Sequence, residues 1–291
     1  MAPEPRRVQR TPPPRGRAPG LAVERSLAGP DGRLVGGMDE VGRGALAGPV
    51  TAGVVVLRPG TERGVPGLRD SKLLSPARRE ALVPRILEWC AAGGVGHASP
   101  QEIDGLGLTA ALRLAGRRAI AAAAQRGALP DVVLLDGGHD WLSGPGAGTL
   151  FDGLDGLDGL DGLEGLDGLD GFDIDAGPGS RPDPGPGSAP GPAVEGARAP
   201  EWAGTVVTRV KADLACASVA AASVLAKVER DRIMGELSSG WPQYGWESNK
   251  GYGADRHRRA LAEHGATPHH RLSWRLTPAA AGPSRTGEGT T

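Results

Sequence analysis

The sequence predicts an α/β domain: a mixed β-sheet flanked by helices, with a helical C-terminal part. Short apolar runs of strand length lie close together early in the chain and then alternate with longer segments of helical period, which suits a mixed sheet covered by helices. Residues 1–30, 138–200 and 276–291 lack any such pattern, so the domain is expected over 31–275 with one interruption. In order, strands fit residues 33–38, 50–57, 94–98, 132–136 and 205–210. Ser75 before Pro76 starts a helix whose Leu82, Val83, Ile86 and Leu87 share one face. Ser99 and Glu102 have capping-box spacing around Pro100 at the first helical position. Longer helices fit 108–125, 218–237 and 254–264, the last stopped by Gly265.

Composition shows that much of the chain lies outside a packed core, because 48 Gly and 26 Pro accompany only 3% aromatic residues in 291. The formal net charge of -1 averages oppositely biased segments. Arg6, Arg7, Arg10, Arg15 and Arg17 make the start basic, whereas from Asp152 an Asp-Gly-Leu triplet repeats before a Pro-Gly-Ser stretch ending near Pro200. A three-residue period with glycine in every triplet suits neither helix nor strand, so a flexible acidic loop is expected. A calcium-binding β-roll is the rival reading, but its repeat is nine residues long. Both chain ends are expected to be disordered. Cys90 and Cys216 fall inside predicted helices, without zinc-ligand spacing, and read as reduced thiols. No apolar run is long enough for a membrane span, and the first 30 residues lack the apolar segment of a secretory signal.

The chemistry concentrates in Asp39-Glu40-Val41-Gly42-Arg43-Gly44. Two adjacent carboxylates at the end of a strand converge only if the strand ends there and the glycines turn the chain. The same glycines let backbone N–H groups and Arg43 approach a phosphodiester closely. Alone, such a string reads equally well as a solvated loop. Further acids stand at the ends of other apolar runs: Asp136 after Leu134-Leu135, and Asp213 after Lys211-Ala212, while Asp70-Ser71-Lys72 opens another polar turn.

With these pieces in order, and with Ala221–Asp231, Lys250-Gly251-Tyr252-Gly253 and His270-Arg271-Leu272-Ser273-Trp274 following, the chain resembles ribonuclease HII, the type 2 ribonucleases H. The resemblance implies a ribonuclease H-like sheet. It also implies an endonuclease that hydrolyses the RNA strand of RNA–DNA hybrids and cuts 5′ of ribonucleotides embedded in duplex DNA. Asp39, Glu40, Asp136 and Asp213 match the family's catalytic, metal-holding carboxylates. A phosphodiester under attack gathers negative charge that two divalent ions about 3.5–4 Å apart neutralise, and magnesium or manganese suits carboxylate oxygens. Gly42, Arg43 and Gly44 match the turn that recognises the ribonucleotide, and Tyr252 the tyrosine that stacks on the next sugar. Ser71, Lys72, Lys211 and Lys250 are expected at the substrate, with Asp70 shaping its own turn. Asp231 is expected in a structural ion pair and His270 in packing.

Removal of ribonucleotides from DNA, a cytoplasmic location and a monomer complete the expectation. Two rivals are a non-catalytic hybrid-binding protein, which a missing acid would favour, and another ribonuclease H-fold nuclease such as an integrase or resolvase. The Gly-Arg-Gly and Lys-Gly-Tyr elements count against the latter. The family joins the strands of Asp136 and Asp213 more briefly, so residues 138–200 are read as an insertion whose charge would compete with nucleic acid for a basic groove.

Overall fold

The computed structural model describes residues 18–143, 201–274 and 276. Its elements are α1 (Ala22–Ala28), β1 (Val35–Val41), β2 (Val50–Leu57), α2 (Pro76–Trp89), β3 (Ala92–Ala98), α3 (Pro100–Leu106), α4 (Leu108–Gln125), β4 (Val132–Asp136), β5 (Thr205–Arg209), α5 (Ala212–Ala215), α6 (Ala217–Gly240), α7 (Trp246–Asn249) and α8 (Asp255–His264). The five strands form one mixed sheet in the order β3-β2-β1-β4-β5. The β1–β2 and β2–β3 pairs are antiparallel, and the β1–β4 and β4–β5 pairs are parallel.

Alternation along the strands assigns the two faces. Met38, Val54, Val56, Val133 and Leu135 pack with Leu112, Ala115, Ala119 and Ile120 of α4. Val55, Leu57 and Cys90 pack on the other side with Leu82 and Ile86 of α2 and with Ala221, Val224 and Leu225 of α6. Ala47, Met234, Tyr244, Trp246, Ala260 and Leu261 form a third cluster where α6, α7 and α8 meet the segment after β1. This is the expected helical C-terminal part. The Ser99–Glu102 capping box is formed, with Glu102 N–H donating to Ser99 Oγ at 3.2 Å and Ser99 N–H to Glu102 Oε2 at 2.8 Å. Both cysteines are buried and free. Among the described residues no helix is long and apolar enough to cross a membrane.

Besides small shifts at the ends of β3, β5, α6 and α8, three differences from the sequence expectation change how the domain is built. The α1 helix lies within the segment read as a disordered extension, because Glu24 is buried and its Oε1 accepts the Ser218 N–H at 2.9 Å and the Ser218 hydroxyl at 2.8 Å, docking α1 on the start of α6. Trp141 and Leu142, read as part of the insertion, are buried beneath α4. Strand β1 continues beyond Met38 through Val41. Residues 1–17, 144–200, 275 and 277–291, where the remaining expectations about the extension, the triplet repeat and the tail fall, lie outside the described residues.

Candidate active site

The parallel β1–β4 ladder ends at Met38 beside Leu135, so Asp39 and Asp136 follow one residue later on neighbouring strands. Both project toward α6. Gly37, two residues before Asp39, lies against Ser218 of α6, and Leu134, two before Asp136, packs with Ala212, Cys216 and Val219. Asp213 joins them through α5. Lys211 takes a left-handed backbone (φ 57) that turns the chain back after β5, and Asp136 Oδ1 accepts the N–H groups of Ala212 at 2.7 Å and Asp213 at 3.4 Å.

Glu40 reaches the site differently from the sequence expectation. Asp39 and Glu40 are both paired inside the ladder, with Gly53 and Ala52 of β2, so the strand does not end between Met38 and the acids. Adjacent strand residues leave opposite faces, and Glu40 therefore starts from the α4 side. The turn begins only at Gly42 (φ 86), and Arg43 comes back to within 3.7 Å of Glu40.

Charge is concentrated here. Burial raises the Asp39 carboxyl to about 7, the Ser223 hydroxyl opposes this by donating to it, and the charges of Glu40 and Asp136 raise it further. Burial also raises Glu40, against the pull of Arg43, and raises Asp213, with Asp136 and Asp70 adding to the effect. Lys72 answers them: burial alone would lower its ammonium, but Asp70, Asp213, Asp39 and Asp136 together hold it above its ordinary value. Among the described residues, no group of three or more His, Cys, Asp or Glu side chains stands ready to hold a metal ion. The donor chemistry nevertheless fits hard divalent ions, because the clustered groups are carboxylates whose mutual repulsion Lys72 and Arg43 offset only in part.

The expected substrate residues divide into two groups. Arg43 and Gly44 are exposed at the turn after β1, with Gly42 buried beneath them. Tyr252 is 39% exposed, its ring 5.5 Å from the Arg230 guanidinium, and Lys250 occupies a left-handed position (φ 52) in the same turn. Lys211 is exposed at the opening of α5. Ser71 is 4% exposed, and its Oγ lies 2.8 Å from Ser223 Oγ. Its hydroxyl and that of Ser223 form a chain behind Asp39.

Ser223 escaped the sequence reading as a site residue because its partners lie far away in sequence and it stands in an alanine-rich run. Asp70 accepts the Lys72 N–H at 2.9 Å, shaping the turn as expected. Asp231 pairs with Lys227 at 2.6 Å and Arg79 at 3.3 Å, the expected structural ion pair. His270 is buried, with Nε2 3.0 Å from His257 Nε2, away from the acids.

The profile of the family described as Ribonuclease HII matches residues 36–141 and 197–277, which hold all four acids and both turns. The chain belongs to the ribonuclease HII family. Ribonuclease HII of Streptomyces avermitilis is 39% identical over 257 residues, covering 88% of this chain and 83% of the relative. As a member of ribonuclease HII, the chain is a ribonuclease H. Solved relatives carry the same fold. The ribonuclease H2 from Pyrococcus horikoshii OT3 is 22% identical with a TM-score of 0.51, covering 84% of this chain and 94% of the relative. Bst-RNase HIII in complex with Mn2+ is 19% identical with a TM-score of 0.52, covering 84% and 68%.

Proposed function

We propose that the chain hydrolyses the RNA strand of RNA–DNA hybrids and the phosphodiester 5′ of a ribonucleotide embedded in duplex DNA, leaving 3′-hydroxyl and 5′-phosphate ends. The observation that carries the proposal is the side-by-side placement of Asp39 and Asp136 on one face, with Asp213 hydrogen-bonded to Asp136. Asp39, Glu40, Asp136 and Asp213 would hold magnesium or manganese; the ribonuclease HIII that shares the fold was solved in complex with Mn2+. Divalent ions, when bound, supply charge neutralisation to the attacking water and the leaving oxygen.

The chain's own residues do the rest. The Glu40 N–H donates to Asp39 Oδ1 at 2.8 Å and orients that carboxylate, the N–H groups of Ala212 and Asp213 orient Asp136, and Lys72 adds a positive charge among the acids. Arg43, with half its side chain exposed, is free to swing from Glu40 to a phosphate. The turn formed by Gly42, Arg43 and Gly44 offers N–H groups to the ribose 2′-hydroxyl, the group that separates RNA from DNA. Tyr252 offers a ring face to the next sugar, and Lys211 and Lys250 meet the backbone beyond. Removal of ribonucleotides from DNA is the role that fits this chemistry.

The products test the reaction. After incubation of a labelled single-ribonucleotide duplex with Mg2+ or Mn2+, the upstream fragment should be extended directly by a DNA polymerase. An upstream fragment that needs phosphatase treatment before extension would contradict the assigned chemistry.

The triplet repeat gives a second expectation. It is acidic and begins shortly after the Asp136 strand, so it should compete with nucleic acid for the exposed cations Arg43, Lys72 and Lys211. Deleting residues 144–199 spares buried Trp141 and Leu142 and should tighten hybrid binding at low salt, an advantage that fades as salt rises. Equal affinity at every salt concentration would make the segment a bystander.

A further inference from the structure

Arg230 and Arg271 are both fully buried, and their hydrogen-bond acceptors are backbone carbonyls. Arg271 donates through Nη1 to the Arg43 carbonyl at 2.6 Å, through Nη2 to that of Gly42, and through Nε and Nη2 to that of Gly48 at 3.4 and 3.3 Å. Its guanidinium lies 4.7 Å from the centre of the Trp274 ring. Arg230 donates to the carbonyls of Lys250 at 2.8 Å, Pro49 at 2.9 Å and Ala47 at 3.2 Å, and lies beneath Tyr252. Each acceptor belongs to the segment 42–49 or to the turn at 250–252. The two segments are also joined directly, since Leu46 and Ala47 donate to the Gly251 carbonyl at 2.8 and 3.2 Å.

Stripping two neighbouring cations of water is costly. Burial, with Arg230 adding to it, pushes Arg271 down to about 9, so it remains charged at neutral pH. A fold that needed only apolar packing here would be served as well by hydrophobic side chains. What the guanidinium adds is direction. A trans peptide points its C=O and N–H to opposite sides, and the described chain contains no cis peptide bonds. Because the carbonyls of Gly42 and Arg43 are drawn inward onto Arg271, the N–H groups of Arg43 and Gly44 point away from it, at two exposed residues. Two successive outward N–H groups form a fixed donor pair for a ligand oxygen.

We propose that Arg271 and Arg230 are positioning residues for ribose discrimination: Arg271 aims the N–H pair of Arg43 and Gly44 at the 2′-hydroxyl, and Arg230 holds the Tyr252 turn in register with it. The proposal rests on the assignment of these turns to the ribonucleotide. A lysine at either place keeps the charge but lacks the planar fork that holds several carbonyls at once.

The test is binding in the Asp39→Asn background with Mg2+, by fluorescence anisotropy, to two DNA duplexes identical except for one 2′-hydroxyl. The ratio of the two affinities should fall about fivefold or more in Arg271→Lys, with affinity for the all-DNA duplex unchanged, because phosphate contacts remain while the aimed donors are lost. Trp274→Leu, which leaves Arg271 in place but removes the ring beside it, should lower the ratio in the same direction by less. It decides the matter if Arg271→Lys does not fold. A folded Arg271→Lys or Trp274→Leu protein that keeps the parent ratio overturns the proposal, since a merely structural residue would lower the melting temperature and leave the ratio alone. A parent ratio of one overturns the ribonucleotide assignment itself, and the proposal with it.

Discussion

Asp136→Asn is expected to abolish cleavage while raising the melting temperature of the metal-free protein. The asparagine Oδ1 still accepts the Ala212 N–H, so the link between β4 and α5 survives. What disappears is a negative charge that raises Asp39, Glu40 and Asp213 together. Activity should fall by about a thousandfold or more, a loss of roughly 4 kcal/mol in transition-state stabilisation. Stability should rise by about 1 kcal/mol at pH 8, a few degrees in Tm.

The gain depends on pH in a defined direction. Asp39 titrates near 7 in the folded chain and near 3.8 when unfolded, so between those values the folded state holds a proton that the unfolded chain has released. Stability of the metal-free parent is therefore highest at the acid end of that window and declines as pH rises through it, when the charge on Asp39 meets that on Asp136. Asparagine at 136 should accordingly help more at pH 8 than at pH 5. Thermal melts in a chelating buffer at both values check this. A variant no more stable than the parent at pH 8 would show that the acids do not strain the fold.

Gly37→Ala is expected to lower stability by about 3 kcal/mol or more, the upper end of overpacking costs, because no flexible side chain is available to yield. A Cβ at this position would be driven into the backbone of Ser218 and Val219, where β1 lies directly on α6. The sheet and α6 would have to separate. That separation would carry Ser223 away from Asp39, so the loss of activity should exceed what the unfolded fraction explains. Urea denaturation with parallel single-turnover assays would measure both effects, and an alanine variant of parental stability would contradict the packing described.

The contrast between these two positions shows what the sequence discloses. The carboxylates were readable because each stands at the end of an apolar run, and the glycine-arginine turn because its residue types permit close approach to a phosphate. The five strands and the principal helices were readable from their periods. Where β1 stops was not, because Asp39 and Glu40 break the apolar run while the β2 ladder continues to pair with them. Nor was the contact of Ser71 with a serine 152 positions away, or the docking of α1, fixed by Ser218 at a separation of 194. Trp141 and Leu142 were absorbed into the neighbouring glycine-rich stretch because only tertiary burial beneath α4 distinguishes them. The buried arginines carry the same lesson: their acceptors are carbonyls, which leave no trace in residue identity.

The central claim is that Asp39 and its neighbouring acids cut at a ribonucleotide. Cleavage of an end-labelled DNA duplex with one embedded ribonucleotide, in Mg2+ or Mn2+, by the full chain and by Asp39→Asn tests it most directly. The account predicts a single cut 5′ of the ribonucleotide that is lost in the variant while the variant remains folded. An intact chain that binds the duplex without cutting it, or an Asp39→Asn protein that cuts at the parental rate, would contradict it.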